Sequence, residues 1–191
     1  MAMPEKAYMY AIPHEYYEKY GIRRYGFHGT SHMFVSREAI KFGGLDPENA
    51  KVIVCHLGNG ASITAVDGGK SVNTSMGFTP LAGVMMGTRS GDIDPAIVTF
   101  LQKKEGLSAE EVEDIMNKKS GMLGVSGVSS DGRDVESAAK EGNPRALLTE
   151  SMYANRVMSY VGAYFAQLGG LDAIVFTGGI GENDDYVRSE V

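Results

Sequence analysis

Several short stretches of the chain hold residue types that handle anions. His56-Leu57-Gly58-Asn59-Gly60 joins two apolar runs. Its glycines and asparagine leave backbone N–H groups uncovered, and such groups suit a phosphate. A purely structural hairpin is the competing reading of the same five residues. His28 directly precedes Gly29-Thr30-Ser31, where Thr30 or Ser31 can cap a helix, and a helix start favours anions. Arg89 lies between Gly87-Thr88 and Ser90-Gly91, so its side chain has a free path to a ligand. An ion pair with Asp92 or Asp94 is the alternative for that arginine. Thr177-Gly178-Gly179-Ile180-Gly181-Glu182-Asn183 follows an apolar run. A strand that ends in a Gly-rich turn before a helix is where an α/β fold places a nucleotide. The spacing is not GxGxxG and no Walker A lysine motif occurs, which disfavours dinucleotide-type and P-loop sites. His28 and His32 could suggest a metal, but no third ligand is apparent nearby in sequence, so no metal ligand is assigned.

The elements that must position these residues follow from pattern and punctuation. The runs at 52–55 and 61–66 read as two strands around the glycine turn, and a third strand is expected at 71–75 after Asp67-Gly68-Gly69. Three strands joined by short turns make an antiparallel meander. Helices are expected at 15–20 and from Thr30 or Ser31 to about Lys41, the latter closed by Gly43-Gly44. The stretch 76–95 is long and rich in Gly, Thr and Ser, which marks a functional or disordered loop. Phe78, Leu81, Val84, Met85 and Met86 argue against disorder. Asp94-Pro95 opens a helix to about Glu105, and Ser108 opens another to about Lys119. Residues 120–127 read as irregular, and 135–140 as a short helix. Asn143-Pro144 begins the longest helix, which ends at Gly169-Gly170 with Ala154, Met158, Val161, Phe165 and Leu168 on one core face. Residues 171–176 read as a buried strand.

Composition sets the outer limits. The chain has 191 residues, 43% of them hydrophobic and 22% charged, which is ordinary for a globular domain. A net charge of −6 disfavours a general nucleic-acid surface. No apolar run approaches the roughly 18 residues of a membrane span. The N-terminal stretch lacks the apolar centre of a signal peptide, and the single cysteine, Cys55, fits a reducing compartment; a cytoplasmic location is the expectation. Cys55 sits in an apolar strand and reads as core filler. The 25 glycines are about twice the usual share and fall between structured runs, the pattern of loops that approach a ligand closely.

Four motifs in order, RYGFHGTSH at 24–32, HLGNGASI at 56–63, NTSMGFTPLAGVMMGTRSGDIDP at 73–95 and TGGIGEN at 177–183, resemble the acetate kinase family from about Met3 to the last residue. The resemblance implies an α/β fold of the actin-like, RNase H-like (ASKHA) ATPase kind, with the meander, helices and a later parallel strand. It implies transfer of a phosphoryl group between ATP and acetate, giving ADP and acetyl phosphate, with Mg²⁺. It assigns His28 and Arg89 to transition-state stabilisation. His56, Leu57, Gly58, Asn59 and Gly60 would bind nucleotide phosphates. Asp131, Gly132 and Arg133 would contact the nucleotide, and Gly179, Ile180, Gly181, Glu182 and Asn183 would hold its adenosine end. Gly132 departs from the family, where that position is commonly larger.

The resemblance also predicts what this stretch lacks. Family members are about twice as long, so the chain corresponds to a single second, nucleotide-binding domain, truncated at its C-terminal end, with the first domain absent. The Mg²⁺ ligands and part of the substrate site then fall outside it, so nucleotide could bind without turnover. An uncovered sheet edge and the family's habit of pairing through this domain predict a homodimer. A non-catalytic nucleotide-binding module and a propionate or butyrate kinase are the alternatives.

Overall fold

The computed structural model describes residues 3–191. Its centre is a four-stranded sheet in the order β3-β2-β1-β4, built from β1 (Lys51–Leu57), β2 (Ala61–Asp67), β3 (Lys70–Thr74) and β4 (Ala173–Thr177). The first three strands form the expected antiparallel meander, and β4 lies parallel to β1. The β2–β3 connection is a two-residue turn. Gly68 and Gly69 both take positive φ, at 52° and 71°, which a residue with a side chain rarely adopts. The β1–β2 connection is different. Gly58 and Gly60 are absent from the left-handed positions, so glycine serves there for space rather than for conformation.

Alternation along β1 sends side chains to two cores. Ile53, Cys55 and Leu57 pack with Ile63 and Ala65 against α8 (Pro144–Leu168), through Tyr153, Val157, Val161, Tyr164 and Leu168. Cys55 is fully buried there, as its apolar neighbours predict, and burial pushes its thiol up to about 12. Val52 and Val54 face the other way, with Val66, Ile40 and Ala50, toward α3 (Gly29–Phe42). The helix α8 starts where its cap demands. Asn143 accepts from the N–H groups of Arg145 and Ala146, Pro144 occupies the first turn, and Gly169 closes the helix at φ 65°.

The remaining helices are α1 (Glu5–Tyr8), α2 (His14–Tyr20), α4 (Ala96–Glu105), α5 (Ala109–Lys118), α6 (Gly121–Ser126), α7 (Gly132–Lys140), α9 (Gly178–Asn183) and α10 (Asp185–Glu190). Ser108 and Glu111 form a full capping box at the start of α5. Four expectations need correction. The helix expected to start at a Thr30 or Ser31 cap starts instead at Gly29, with His28 at the N-cap and no side-chain cap bond. Residues 120–127 are not irregular but hold α6, whose N–H groups at Met122 and Leu123 donate to the carbonyls of Met86 and Gly87 at 2.8 and 2.9 Å. Tertiary bonding overrides the weak helical preference of the glycines there. The segment Gly178–Asn183 is not an open turn before a helix but is itself α9. Finally, β4 is half-buried along its whole length rather than buried, because it is an edge strand with β1 as its only partner among the described residues.

Candidate nucleotide and phosphoryl site

The sheet topology brings the separated motifs to one place. In the parallel β1–β4 pair, His56 stands opposite Thr177. Both strands therefore end at the same edge, and the turn after β1 meets the helix after β4. The approach is close: a Cβ on Gly178 would lie 2.7 Å from the Leu57 carbonyl oxygen and 3.2 Å from the Gly58 nitrogen. Gly178 also holds φ 83°, so two constraints require glycine there. The side chain of Ile180 on α9 then reaches the start of α7, since a Cβ on Gly132 would lie 3.7 Å from it. Gly87 closes the third side. A Cβ there would come 2.2 Å from Asn59 Oδ1 and 2.7 Å from the Ser130 carbonyl. The turn at 56–60, Gly132 and the start of α9 thus lie side by side at the carboxyl ends of β1 and β4, the usual position for a ligand in an open α/β sheet.

Asp131 caps α7, accepting from the Arg133 N–H at 3.0 Å, and its carboxylate pairs with the Arg133 guanidinium at 2.5 Å. That pairing holds the Asp131 carboxyl down to about 2. Asn183 folds back on its own helix and donates to the Gly179 carbonyl at 2.8 Å. Gly179, Glu182 and Asn183 are exposed, while Gly181 is buried against the strands.

His28 and Arg89 meet at the turn. A Cβ on Gly60 would lie 3.4 Å from Arg89 Nη1 and 3.7 Å from His28 Nε2. The two side chains therefore converge on the end of the glycine turn from different elements. Arg89 forms no ion pair with Asp92 or Asp94 among the described residues, so the structural alternative for it fails. It donates instead to the Pro80 carbonyl at 3.3 Å and reaches Met86 Sδ at 3.6 Å. Asp92 is committed elsewhere, to the Gly83 N–H at 2.8 Å and the Tyr160 hydroxyl. His28 occupies the position just before α3 at φ 58°, the one non-glycine positive φ among the described residues. A left-handed non-glycine residue costs roughly 1–2 kcal/mol, and such outliers gather at functional sites.

Sequence reasoning missed the residues behind His28. Ser62 on β2 is completely buried, and its hydroxyl lies 2.8 Å from His28 Nδ1 and 2.7 Å from His32 Nε2. Ser31 Oγ lies 2.8 Å from His56 Nδ1, and the His28 and His56 rings stack with centroids 4.2 Å apart. His28 and His32 thus turn toward a shared hydroxyl. Among the described residues no group of three His, Cys, Asp or Glu is placed to hold a metal ion. All three rings are held below the ordinary imidazole value, by burial first. His28 is lowered by burial, then by His56 and Arg89; His56 is lowered by burial; His32 falls to about 3, through burial first and then His56 and His28. Ser62 stands directly opposite His56 in the hairpin register, and nothing in the sequence alone singled it out.

A meander with a parallel fourth strand and a glycine-lined cleft at its carboxyl edge is the arrangement of an actin-like ATPase. The solved structures agree. The chain superposes on Porphyromonas gingivalis acetate kinase with a TM-score of 0.97 at 54% identity, covering 98% of this chain and 47% of that one. A Francisella tularensis propionate kinase gives 0.94 at 48% identity, covering 98% and 48%. In sequence, the acetate kinase of Phocaeicola vulgatus is 61% identical over 189 residues, 99% of this chain and 48% of the relative. The acetokinase family profile matches residues 1–191, and the chain belongs to that family. It spans about half the length of the curated relatives it matches.

Proposed function

We propose that the chain supplies the nucleotide cleft and the transition-state donors of an acetate kinase, as a single second domain of that enzyme. One observation carries the reading: Arg89 Nη1 and His28 Nε2 converge on Gly60, at the end of the turn that the cleft is built around. In the forward reaction an acetate oxygen attacks the γ-phosphorus of ATP, the bond to the bridging oxygen breaks, and ADP leaves. Acetate is ionised near neutral pH, so no general base is needed. The demand is electrostatic, because negative charge spreads over the equatorial oxygens. Arg89 presents a fork suited to those oxygens, and a neutral His28 donates one hydrogen bond. An arginine in this role supplies roughly 10³–10⁵ in rate. The turn at 56–60 holds the phosphates, although its Gly58 N–H is already given to the Gly60 carbonyl at 3.2 Å, with Asp131, Gly132 and Arg133 holding the nucleotide and Gly179, Ile180, Gly181, Glu182 and Asn183 its adenosine end.

The reaction class calls for Mg²⁺, a hard cation that takes oxygen ligands. The residues present do not fit it: no carboxylate cluster faces the cleft among the described residues. A homodimer goes with this reading, supported by the open β4 edge. No helix among the described residues is long and apolar enough to cross a membrane.

Calorimetric titration with ATP, followed by an acyl-phosphate assay, tests the reading. ATP binding with acetyl phosphate production favours the kinase. Binding without turnover favours a nucleotide-binding module, a reading supported by the half-length match. Likeness to the propionate kinase structure makes propionate and butyrate the competing acceptors in the same assay. Absence of ATP binding overturns both main readings.

A further inference from the structure

The hydrogen-bonded chain behind His28 determines which of its ring nitrogens carries the proton. Ser62 Oγ sits between His32 Nε2 at 2.7 Å and His28 Nδ1 at 2.8 Å. A hydroxyl has one proton and two lone pairs. Both rings could donate to it only if its own proton found a third acceptor, and the buried Ser62 hydroxyl has no other partner among the described residues, so two arrangements remain with neutral rings. In the first, His32 Nε2–H donates to Ser62 and the Ser62 hydroxyl donates to His28 Nδ1. The His28 proton is then on Nε2, facing Gly60 and Arg89. In the second, every donor reverses. Ser62 donates to His32 Nε2, His28 Nδ1–H donates to Ser62, and His28 Nε2 presents a bare lone pair.

The far side of His32 decides between them. His32 is 4% exposed, and its Nδ1 is buried with no hydrogen-bond partner. In the first arrangement that atom is an unpaired acceptor. In the second it is an unpaired N–H donor. Among backbone groups, orphaned buried N–H donors are rarer than under-satisfied acceptors, the preference applied here to the ring, and a buried group left unpaired costs about 1–3 kcal/mol. The first arrangement follows. We propose that His32 and Ser62 are positioning residues that lock His28 as its Nε2–H tautomer, so that it faces the cleft as a donor and not as a base.

The site's own logic agrees. With the proton on Nε2, His28 and Arg89 both present N–H groups to the space beside Gly60, as an anion requires. With the lone pair there, one of the two would repel the anion. His28 stands at the N-cap of α3 with left-handed backbone, φ 58°. The proposal rests on the phosphoryl-transfer reading only for what Nε2–H meets; the tautomer itself does not depend on ligand.

The test is NMR on the 191-residue chain with ¹⁵N-labelled histidine, reading long-range ¹H–¹⁵N couplings near pH 7. His28 should show an unprotonated Nδ1 and a protonated Nε2 in a single tautomer, and His32 a protonated Nε2. Ser62→Ala should convert His28 to a mixture of tautomers, and Ser62→Thr, which keeps the hydroxyl, should restore one. A protonated His28 Nδ1 in the unsubstituted chain overturns the proposal, and this readout survives if Ser62→Ala fails to fold. An unchanged His28 tautomer in folded Ser62→Ala also overturns it. ATP titration of the same sample separates the outcomes. Failed binding with the Nε2–H tautomer present counts against the phosphate reading alone.

Discussion

His56 at the end of β1 stands in register with Thr177 at the end of β4. These residues are far apart in sequence, yet the parallel pairing sets the two glycine-rich segments side by side. The first antiparallel turn and the helix after the fourth strand become two walls of one cleft. The tightest point of that junction is Gly178 against the Leu57 carbonyl.

Gly178→Ala is therefore expected to damage both fold and cleft. The alanine must adopt φ 83° and place its Cβ 2.7 Å from a backbone oxygen, so the junction has to open. Left-handed backbone costs about 1–2 kcal/mol before the clash is counted. The unfolding free energy from urea titration should fall by at least that much, lowering the midpoint, and ATP affinity should fall with it. An unchanged midpoint would show that α9 does not press on the turn.

Gly60→Ala should behave in the opposite way. Its Cβ meets Arg89 Nη1 at 3.4 Å and His28 Nε2 at 3.7 Å, which are tolerable contacts with side chains. Stability should change by under about 1 kcal/mol, because no strained φ and no backbone clash are involved. The added methyl nevertheless fills the space where an anion would sit between two donors. A hydrogen bond to a charged group contributes about 1.5–3 kcal/mol, so ATP affinity should fall roughly 10- to 100-fold. Calorimetry and urea titration on one preparation separate the two effects.

Much of this arrangement was legible in the chain before any coordinates. The meander declared itself through the Gly68-Gly69 turn and the glycine break at 58–60, and α8 through Asn143-Pro144 and Gly169; Gly68, Gly69, Asn143 and Gly169 act locally on the backbone, whereas Gly60 serves for space. The helices α6 and α9 were not legible. Each carries two or more glycines in six residues, with no apolar period, and α6 is held by carbonyls of the Arg89 loop. The cleft residues announced themselves by glycine spacing. Ser62 did not, since its partners His28 and His32 meet it only after α3 docks on the sheet.

Stability should also fall as the solution becomes mildly acidic. His28, His32 and His56 all have folded values below the ordinary 6.5, and His32 reaches about 3. Below 6.5 the unfolded chain binds protons that the folded chain does not, so the unfolded state gains. The histidine contribution is complete above 6.5, declines as pH drops through that value, and for His32 continues down to about 3. Each fully affected ring contributes a slope of at most about 1.4 kcal/mol per pH unit. Urea midpoints measured from pH 7 to 5 should decline, and His32→Gln should flatten the decline by one ring's share. A flat profile would place the imidazoles in contact with water.

The central claim is that the turn at 56–60, with Arg89 and His28, grips the phosphates of a nucleotide. The most direct measurement is a pair of calorimetric titrations of the chain, one with ATP and one with adenosine, repeated on Arg89→Ala. The account predicts that ATP binds at least about tenfold more tightly than adenosine, given charge-assisted hydrogen bonds to the phosphates. It predicts that Arg89→Ala narrows this gap while leaving adenosine unchanged. Equal affinity for ATP and adenosine, or a gap that Arg89→Ala leaves intact, would contradict it.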